Sequence, residues 1–314
     1  MRALVTGASG FVGRHLVAHL RACGDSVVAV DHAAYDGALA IDVTDVDALA
    51  RAIRDAAPDA VYHLAARSHV GESWADGDEL TRVNVGGTQA VIDACAAASG
   101  ARVLVVGSAE QYGPVPADLG AVDETVTMQP LSPYGVSKLA AERVALDAWR
   151  DHAVSVLCVR AFNHTGPGQS PAFFVPGFAG RIARAEADPT GGDDIAVGNL
   201  DSVRDFTDVR DVVRAYRLLV EHGTPGEAYN VCSGEGVRIG DFADRLLARA
   251  RRPLRLRTDP ELVRPVEVPV FVGNPAKLVA ATGWGRRVAL DHTLDDVLAE
   301  ARARVAGEKS SAGS

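Results

Sequence analysis

The first half of the chain alternates between two hydrophobic periods. RALVTG (2–7), SVVAVD (26–31), DAVYHLAA (59–66), ARVLVVGS (101–108) and VSVLCVRAF (154–162) are short apolar runs with the length and β-branched content of buried strands. Between them, FVGRHLVAHLRAC (11–23), TDVDALARAIRDAAP (44–58), a stretch from about 79 to 98 and SPYGVSKLAAERVALDAWRD (132–151) repeat their apolar residues at helical spacing. Ser132 and Pro133 suit the cap and first position of the last of these. Strands separated by helices in this rhythm predict a parallel, doubly wound α/β sheet. From about residue 166 the pattern turns irregular and rich in Pro and Gly. A helix near 209–221 and the strand EAYNVC (227–232) are expected to return to the sheet. Later helices and short strands are expected to build a smaller cap, and the polar end GEKSSAGS (307–314) a disordered tail.

Composition narrows the class. A chain of 314 residues can hold one large domain with a smaller partner. Hydrophobic residues at 47% and charged residues at 23% fit a soluble globular protein, and no apolar run approaches bilayer length. The opening MRALVTGASG reads as a strand and a Gly-rich turn, not a signal peptide. Cys23, Cys95, Cys158 and Cys232 lie far apart without metal-ligand spacing. They read as buried free thiols in a reducing cytoplasm, with no metal site. A net charge of −9 argues against nucleic acid as a partner, yet a few arginines can still dominate a cleft that takes an anionic small molecule.

The chemistry begins at VTGASGFVG. Gly7, Gly10 and Gly13 lie between the first strand and the first helix, where a tight turn and close backbone approach admit a pyrophosphate. The helix N-terminus at Phe11 and Val12 then offers N–H donors and a favourable dipole. This G-x-x-G-x-x-G spacing has a first gap one residue wider than the commonest dinucleotide fingerprint. Asp31 ends the second strand, where a carboxylate accepts from both ribose hydroxyls and repels a 2′-phosphate; no arginine follows closely. NAD(H) is therefore favoured, with NADP(H) as the alternative. Asp42 and Val43 follow the third strand and can hold an adenine edge, or Asp42 can simply cap the next helix. On this reading residues 1–165 and about 204–232 form a dinucleotide-binding domain of Rossmann type. Residues 166–203 and 233–306 then form a substrate-binding cap.

SPYGVSK places Tyr134 and Lys138 four apart on one helix face. An ammonium beside a phenol favours the phenolate, so Lys138 is expected to lower the Tyr134 pKa and let it exchange a proton with an alcohol or ketone. Ser108, from another strand end, can hold the same oxygen. Alone, such a Tyr–Lys pair is a common solvated helix face; combined with the glycine turn and Ser108 it points to redox chemistry at a carbonyl.

With these residues in view, the sequence resembles the extended short-chain dehydrogenase/reductases that act on nucleotide sugars. TGASGFVG, HLAA, GSAEQYG, SPYGVSK, RAFNHTGPGQ, VRDFTDVRD and NVCSG carry the resemblance over almost the whole chain. It implies that Ser108, Tyr134 and Lys138 are catalytic, that Lys138 holds the nicotinamide ribose, and that Leu64 and Ala65 flank the cofactor. It also implies a homodimer packed through the helices near 79–98 and 132–151. HLAARSHVGESW, RAFNHTGPGQSPAFF, VGNLDSVRDFTDVRD and RPVEVPVFVGNPAKL look most like GDP-4-keto-6-deoxy-D-mannose reductases and the related GDP-mannose 4,6-dehydratases. By that likeness Asn163 reaches the sugar–pyrophosphate, Arg204 and Arg264 pair with the diphosphate, and Glu267 contacts the nucleoside ribose. A planar guanidinium suits phosphate oxygens, although Arg204 beside Asp205 and Asp208 can equally be a surface ion pair.

GSAEQYG (107–113) bears on reductase against dehydratase. The dTDP-glucose dehydratases look like T-D-E-V-Y-G there; this chain has Ala109 at the Asp position, so that acid is missing. Glu110 is shared by GDP-mannose dehydratases (T-S-E-L-Y-G) and 4-keto reductases (S-S-E-E-Y-G) and discriminates poorly. After FNH the chain reads TGPGQ, like the reductases, where the GDP-mannose dehydratases resemble ESPRRG. The resemblance thus implies reduction of the C4 ketone of a GDP-4-keto-6-deoxyhexose, giving for example GDP-D-rhamnose. A dehydratase or 4-epimerase is the runner-up. A non-catalytic dinucleotide-binding regulator is the alternative of another class, and it is disfavoured by the intact Ser108, Tyr134 and Lys138.

Overall fold

The apolar runs of the first half pair as parallel strands. The computed structural model describes the chain except residues 34, 69–76, 99, 117, 189, 263–267 and 313–314 and the side chains of 309–312. In order come β1 (Arg2–Thr6), α1 (Phe11–Ala22), β2 (Ser26–Asp31), β3 (Leu39–Ala40), α2 (Val46–Ala56) and β4 (Ala60–His63). Then α3 (Gly77–Leu80) continues through a π-helical segment, Thr81–Gly86, into α4 (Gly87–Ala98). β5 (Arg102–Val106), α5 (Pro133–His152), β6 (Val156–Ala161) and β7 (Asn163–Thr165) follow. Next are α6 (Phe174–Ala187), β8 (Asp194–Val197), β9 (Val203–Asp208), α7 (Val209–His222) and β10 (Ala228–Val231). The last are β11 (Gly236–Arg238), α8 (Ile239–Leu247), β12 (Arg255–Thr258), β13 (Val270–Phe271), α9 (Ala276–Thr282) and α10 (Leu290–Ala312).

The main sheet has seven parallel strands in the order β10-β6-β5-β4-β1-β2-β3. Period-two alternation sends its side chains to two helical layers. Ala3 and Val5 pack with Leu16 and Leu20 of α1 and Val212 and Tyr216 of α7. Leu4 and Val61 pack with Leu49 and Ile53 of α2 and Val91 of α4 on the other face. Burial on both faces is why these strands read as continuous apolar runs. The expected doubly wound α/β architecture is what the chain adopts, with α7 and β10 returning to the sheet.

Beside it lies a smaller layer. β9 pairs with β11, β13 and β7, and β8 pairs with β12. Phe178 and Ile182 of α6, Phe242 and Leu246 of α8, and Leu294 and Leu298 of α10 form its core. Three features depart from the sequence reading. α6 occupies a stretch that read as irregular; Pro176 falls in its first turn, where a missing N–H breaks no helical bond. The end expected as a disordered tail continues α10 as far as Ala312. Cys23 is exposed, whereas Cys95, Cys158 and Cys232 are buried free thiols as expected.

Candidate active site

The strand order reverses at β1. From there β2 and β3 lie to one side and β4, β5, β6 and β10 to the other. A crevice opens at the carboxyl ends of strands at such a switch point. Here it is a cleft of 860 Å³ running from the glycine turn to the smaller layer.

The turn after β1 has no room for a side chain at Gly7 or Gly13. Gly7 has φ +68°, and a Cβ on it would lie 2.7 Å from the Ala65 nitrogen; one on Gly13 would lie 2.1 Å from the Gly7 oxygen. Gly10 differs: a Cβ there would meet only the Gly7 oxygen, at 3.2 Å. It is the N-cap of α1, offers no side-chain cap, and is followed by no acidic residue in the first turn. Phe11 and Val12 line the cleft at this uncapped end. Backbone donors at an uncapped helix N-terminus, with open space before them, fit a diphosphate.

Asp31 is 4% exposed and sits at the end of β2. Its Oδ2 accepts from the Ser9 N–H at 2.8 Å, and its Oδ1 is 2.7 Å from His32 Nδ1. Burial alone would raise its pKa; the Ser9 hydrogen bond and the neighbouring His32 outweigh it and hold the carboxyl below its usual value. An ionised carboxylate thus stands on the cleft wall. Asp42 does not cap α2: Asp45 does, accepting from the Ala48 N–H at 3.0 Å. Asp42 Oδ1 instead accepts from the Thr44 N–H and hydroxyl, and both Asp42 and Val43 line the cleft. Leu64 and Ala65 line it opposite the glycine turn.

Ser108, Tyr134 and Lys138 all line the cleft, and Ser108 hydrogen-bonds Tyr134. Lys138 is 7% exposed and donates from Nζ to the Val106 carbonyl at 2.8 Å. Burial brings its pKa down to about 8, so it keeps its proton at neutral pH. The sequence-based expectation for Tyr134 is corrected here. Burial pushes its pKa up to about 12, a Ser108 hydrogen bond pulls it down, and Glu110 adds a smaller upward push. The Lys138 ammonium, directed to the Val106 carbonyl, does not offset the burial of Tyr134. Ser108 Oγ accepts the Glu110 N–H at 3.2 Å, which leaves its own proton to donate. Glu110 is exposed on the cleft wall, whereas Ala109 is 4% exposed within an apolar cluster around Tyr112 and Phe162.

The substrate-side residues divide. Asn163 is exposed in the cleft, at the start of β7. Arg204 lines it from β9. Of its acidic neighbours in sequence, Asp205 accepts from Ser233, Gly234 and Gly273, and Asp208 from Arg210 and Thr293. Arg264 and Glu267 lie outside the described residues. Arg181 and Tyr216 are among the cleft residues that the sequence reading does not single out. Arg181 of α6 lines the cleft 5.5 Å from the Phe178 ring, and its buried Nε has no hydrogen-bond partner among the described residues. Burial and Arg184 hold its pKa below the usual value. Tyr216 of α7 also lines the cleft, with a buried hydroxyl equally unpartnered. Neither carried a sequence signal, because α6 was not recognised as a helix and Tyr216 reads as one more apolar position of α7. No group of His, Cys, Asp or Glu among the described residues gathers as a metal site requires, and no described helix is long and apolar enough to cross a membrane.

Known proteins resemble this chain in sequence and in fold. The chain is 34% identical over 310 residues to the GDP-6-deoxy-D-mannose reductase of Pseudomonas aeruginosa, covering 98% of this chain and 99% of that protein. The structure of RMD from P. aeruginosa complexed with NADPH matches with a TM-score of 0.87 at 34% identity, covering 97% of this chain and 100% of that one. MoeE5 in complex with UDP-glucuronic acid and NAD matches with a TM-score of 0.82 at 33% identity over 96% of this chain and 99% of that one. The model of the NAD dependent epimerase/dehydratase family spans residues 3–232, from β1 through the glycine turn and the Tyr134–Lys138 helix to the end of β10. With that turn, that helix and that sheet order in place, the chain belongs to the NAD dependent epimerase/dehydratase family.

Proposed function

We propose that this enzyme reduces the C4 ketone of a GDP-4-keto-6-deoxyhexose to the corresponding GDP-6-deoxyhexose. The observation that supports the reading is that Ser108, Tyr134 and Lys138 all line the cleft that also takes in the uncapped α1 N-terminus. The full-length likeness to a GDP-6-deoxy-D-mannose reductase supports the substrate class. The main sheet then carries the dinucleotide, and the smaller layer the nucleotide sugar.

In this reading the uncapped N–H groups of Phe11 and Val12 bind the dinucleotide's diphosphate, and Lys138 holds its nicotinamide ribose. Asp31 accepts from the adenosine ribose, and its charge favours NAD(H) over NADP(H). The nicotinamide, when bound, supplies the hydride. Ser108 donates to the C4 oxygen and orients it. Tyr134, kept protonated by its raised pKa, gives its proton to that oxygen as charge develops there. Lys138, charged at neutral pH, stabilises the tyrosinate left behind. Asn163 contacts the sugar–diphosphate, and Arg204, Arg264 and Arg181 supply positive charge to the diphosphate of an otherwise acidic protein. Glu267 takes the nucleoside ribose. Buried free thiols fit a reducing cytoplasmic setting.

A dehydratase is the second reading, because Glu110 stands on the cleft wall near enough to Tyr134 to influence it. Buried Ala109 weighs against it, since no acid stands there to help a hydroxyl leave. One experiment separates the two. The protein is incubated with GDP-mannose alone, and with GDP-4-keto-6-deoxymannose plus NADH or NADPH. Dinucleotide oxidation confined to the second incubation is expected; a 4-keto product in the first would transfer the assignment to the dehydratase.

A further inference from the structure

Behind Ser108 runs a chain of buried polar groups whose donor and acceptor roles are fully determined. The Ser108 N–H donates to Gln111 Oε1 at 2.8 Å. Gln111 Nε2 therefore faces the other way, and donates to Glu142 Oε2 at 2.7 Å. Glu142 accepts in turn from Arg160, Nη2 to Oε1 at 2.7 Å and Nε to Oε2 at 3.1 Å. Arg160 Nη1 also donates to the Tyr112 hydroxyl at 2.9 Å and to the Glu124 carbonyl at 3.1 Å. The side chains are closed to solvent: Gln111 is 0%, Glu142 2% and Arg160 5% exposed. Arg160 only donates and the Glu142 carboxylate paired with it only accepts, so the Gln111 amide has one satisfying orientation.

The far end of this chain lies on the catalytic helix. Glu142 is eight residues after Tyr134 and four after Lys138, on the same face of α5. The bridge thus ties the backbone of Ser108, on the loop after β5, to the helix that carries Tyr134. The turn itself gives weaker guidance, since the Glu110 N–H reaches Ser108 Oγ at 3.2 Å. We infer that Gln111 is a positioning residue that holds Ser108 against Tyr134 by linking the Ser108 N–H to Glu142. This rests on the catalytic roles proposed for Ser108 and Tyr134.

Three variants test it. Gln111→Glu sets two carboxylates in contact, Gln111→Met removes both hydrogen bonds without adding charge, and Q111E/E142Q restores the bridge with the carboxylate moved one place. In the double variant Glu accepts from Ser108 and Gln donates to it, while the Gln carbonyl still accepts from Arg160. Losing a buried charge-assisted bond corresponds to about 10- to 100-fold in kcat. We expect that loss in both single variants, with KM within about threefold, and recovery in Q111E/E142Q to within about fivefold of the parent kcat. The Ser108 hydrogen bond holds the Tyr134 pKa down. Its loss therefore leaves Tyr134 a weaker acid in the single variants, which adds to their fall in kcat. Hydrogen exchange at the Ser108 amide is read in parallel and needs no substrate; it is expected to quicken in the single variants alone. A folded Gln111→Met enzyme with parent kcat and exchange overturns the inference, as does a folded double variant no better than Gln111→Glu. If the parent reduces no 4-keto nucleotide sugar, the proposed function fails while the exchange measurement still decides the bridge.

Discussion

Tyr134 works against its surroundings. Burial raises its pKa to about 12, which suits a group that must arrive protonated and give its proton only when an alkoxide forms beside it. Removing the phenol hydroxyl with Tyr134→Phe is expected to lower kcat by about 10²- to 10⁴-fold. Glu110 is exposed and reaches Tyr134 only as a weaker electrostatic influence, so Glu110→Gln is expected to slow ketone reduction far less. Steady-state kinetics of both variants check this, and equal losses would return Glu110 to the catalytic set. Asp31 acts by charge as well as by hydrogen bonding. Asp31→Asn keeps the shape and an acceptor but removes the repulsion toward a 2′-phosphate. The ratio of kcat/KM for NADPH to that for NADH should rise at least about tenfold, the equivalent of 1.4 kcal/mol. A ratio that stays put would mean that Asp31 does not meet the ribose.

At the scale of elements, the glycine turn and β4 are held together by one buried imidazole. His63 Nδ1 lies 2.8 Å from Thr6 Oγ1 at the end of β1, and Nε2 lies 3.1 Å from Thr88 Oγ1 on α4. Burial, and then the Lys138 charge, depress its pKa to about 3. The unfolded chain takes up a proton near pH 6.5 that the folded chain refuses. The stability tied to a neutral His63 is therefore present above pH 6.5 and lost as pH falls toward 3, at about 1.4 kcal/mol per pH unit. Urea unfolding at pH 7, 6 and 5 should show this slope, and His63→Gln should flatten it; parallel slopes in the two proteins would refute the assignment. The π-helical segment before α4 has a related task. Asn84, within it, accepts the Arg67 N–H at 2.8 Å and donates to Ser137 Oγ at 2.9 Å, which joins the loop after β4 to α5. The loop after β7 is clamped similarly: Arg14 of α1 donates to the Gly168 carbonyl at 3.0 Å, and the Gly168 N–H donates to Glu300 of α10 at 2.8 Å. The clamp connects α1, the helix that follows the glycine turn, with a helix of the smaller layer. In sequence TGPGQ reads as a plain loop, because its partners are 132 and 154 residues away.

Across the whole molecule, the Ala-rich helix faces settle inward. Ala90 and Ala94 of α4 and Ala145 and Ala148 of α5 are buried in the core beneath the main sheet. They let the two helices lie close to each other and to the strands. The outer faces carry Gln89, Asp93, Arg143 and Asp147 with an exposed Val136. A homodimer across these helices is therefore expected to be held by a mixed polar and apolar surface and to weaken in salt. Light scattering at low and high ionic strength measures it; a monomer at micromolar concentration under both conditions removes the dimer from the account.

The main sheet and the glycine turn were legible in the residues because local chemistry dictates them. Apolar runs form strands buried on both faces, caps and periodicity mark the helices, and Gly7 must be glycine where the chain turns with positive φ against Ala65. The identity of Ser108, Tyr134 and Lys138 as a set rested on motif and was equally open to reading. What only folding decides is where charges end. The Lys138 ammonium goes to the Val106 carbonyl, Asp205 and Asp208 turn to partners other than Arg204, and Arg181 reaches the cleft from a helix hidden by Pro176 and Gly177. Those outcomes depend on contacts between residues distant in the chain and on how far each group is stripped of water, and neither is a property of any short stretch of sequence.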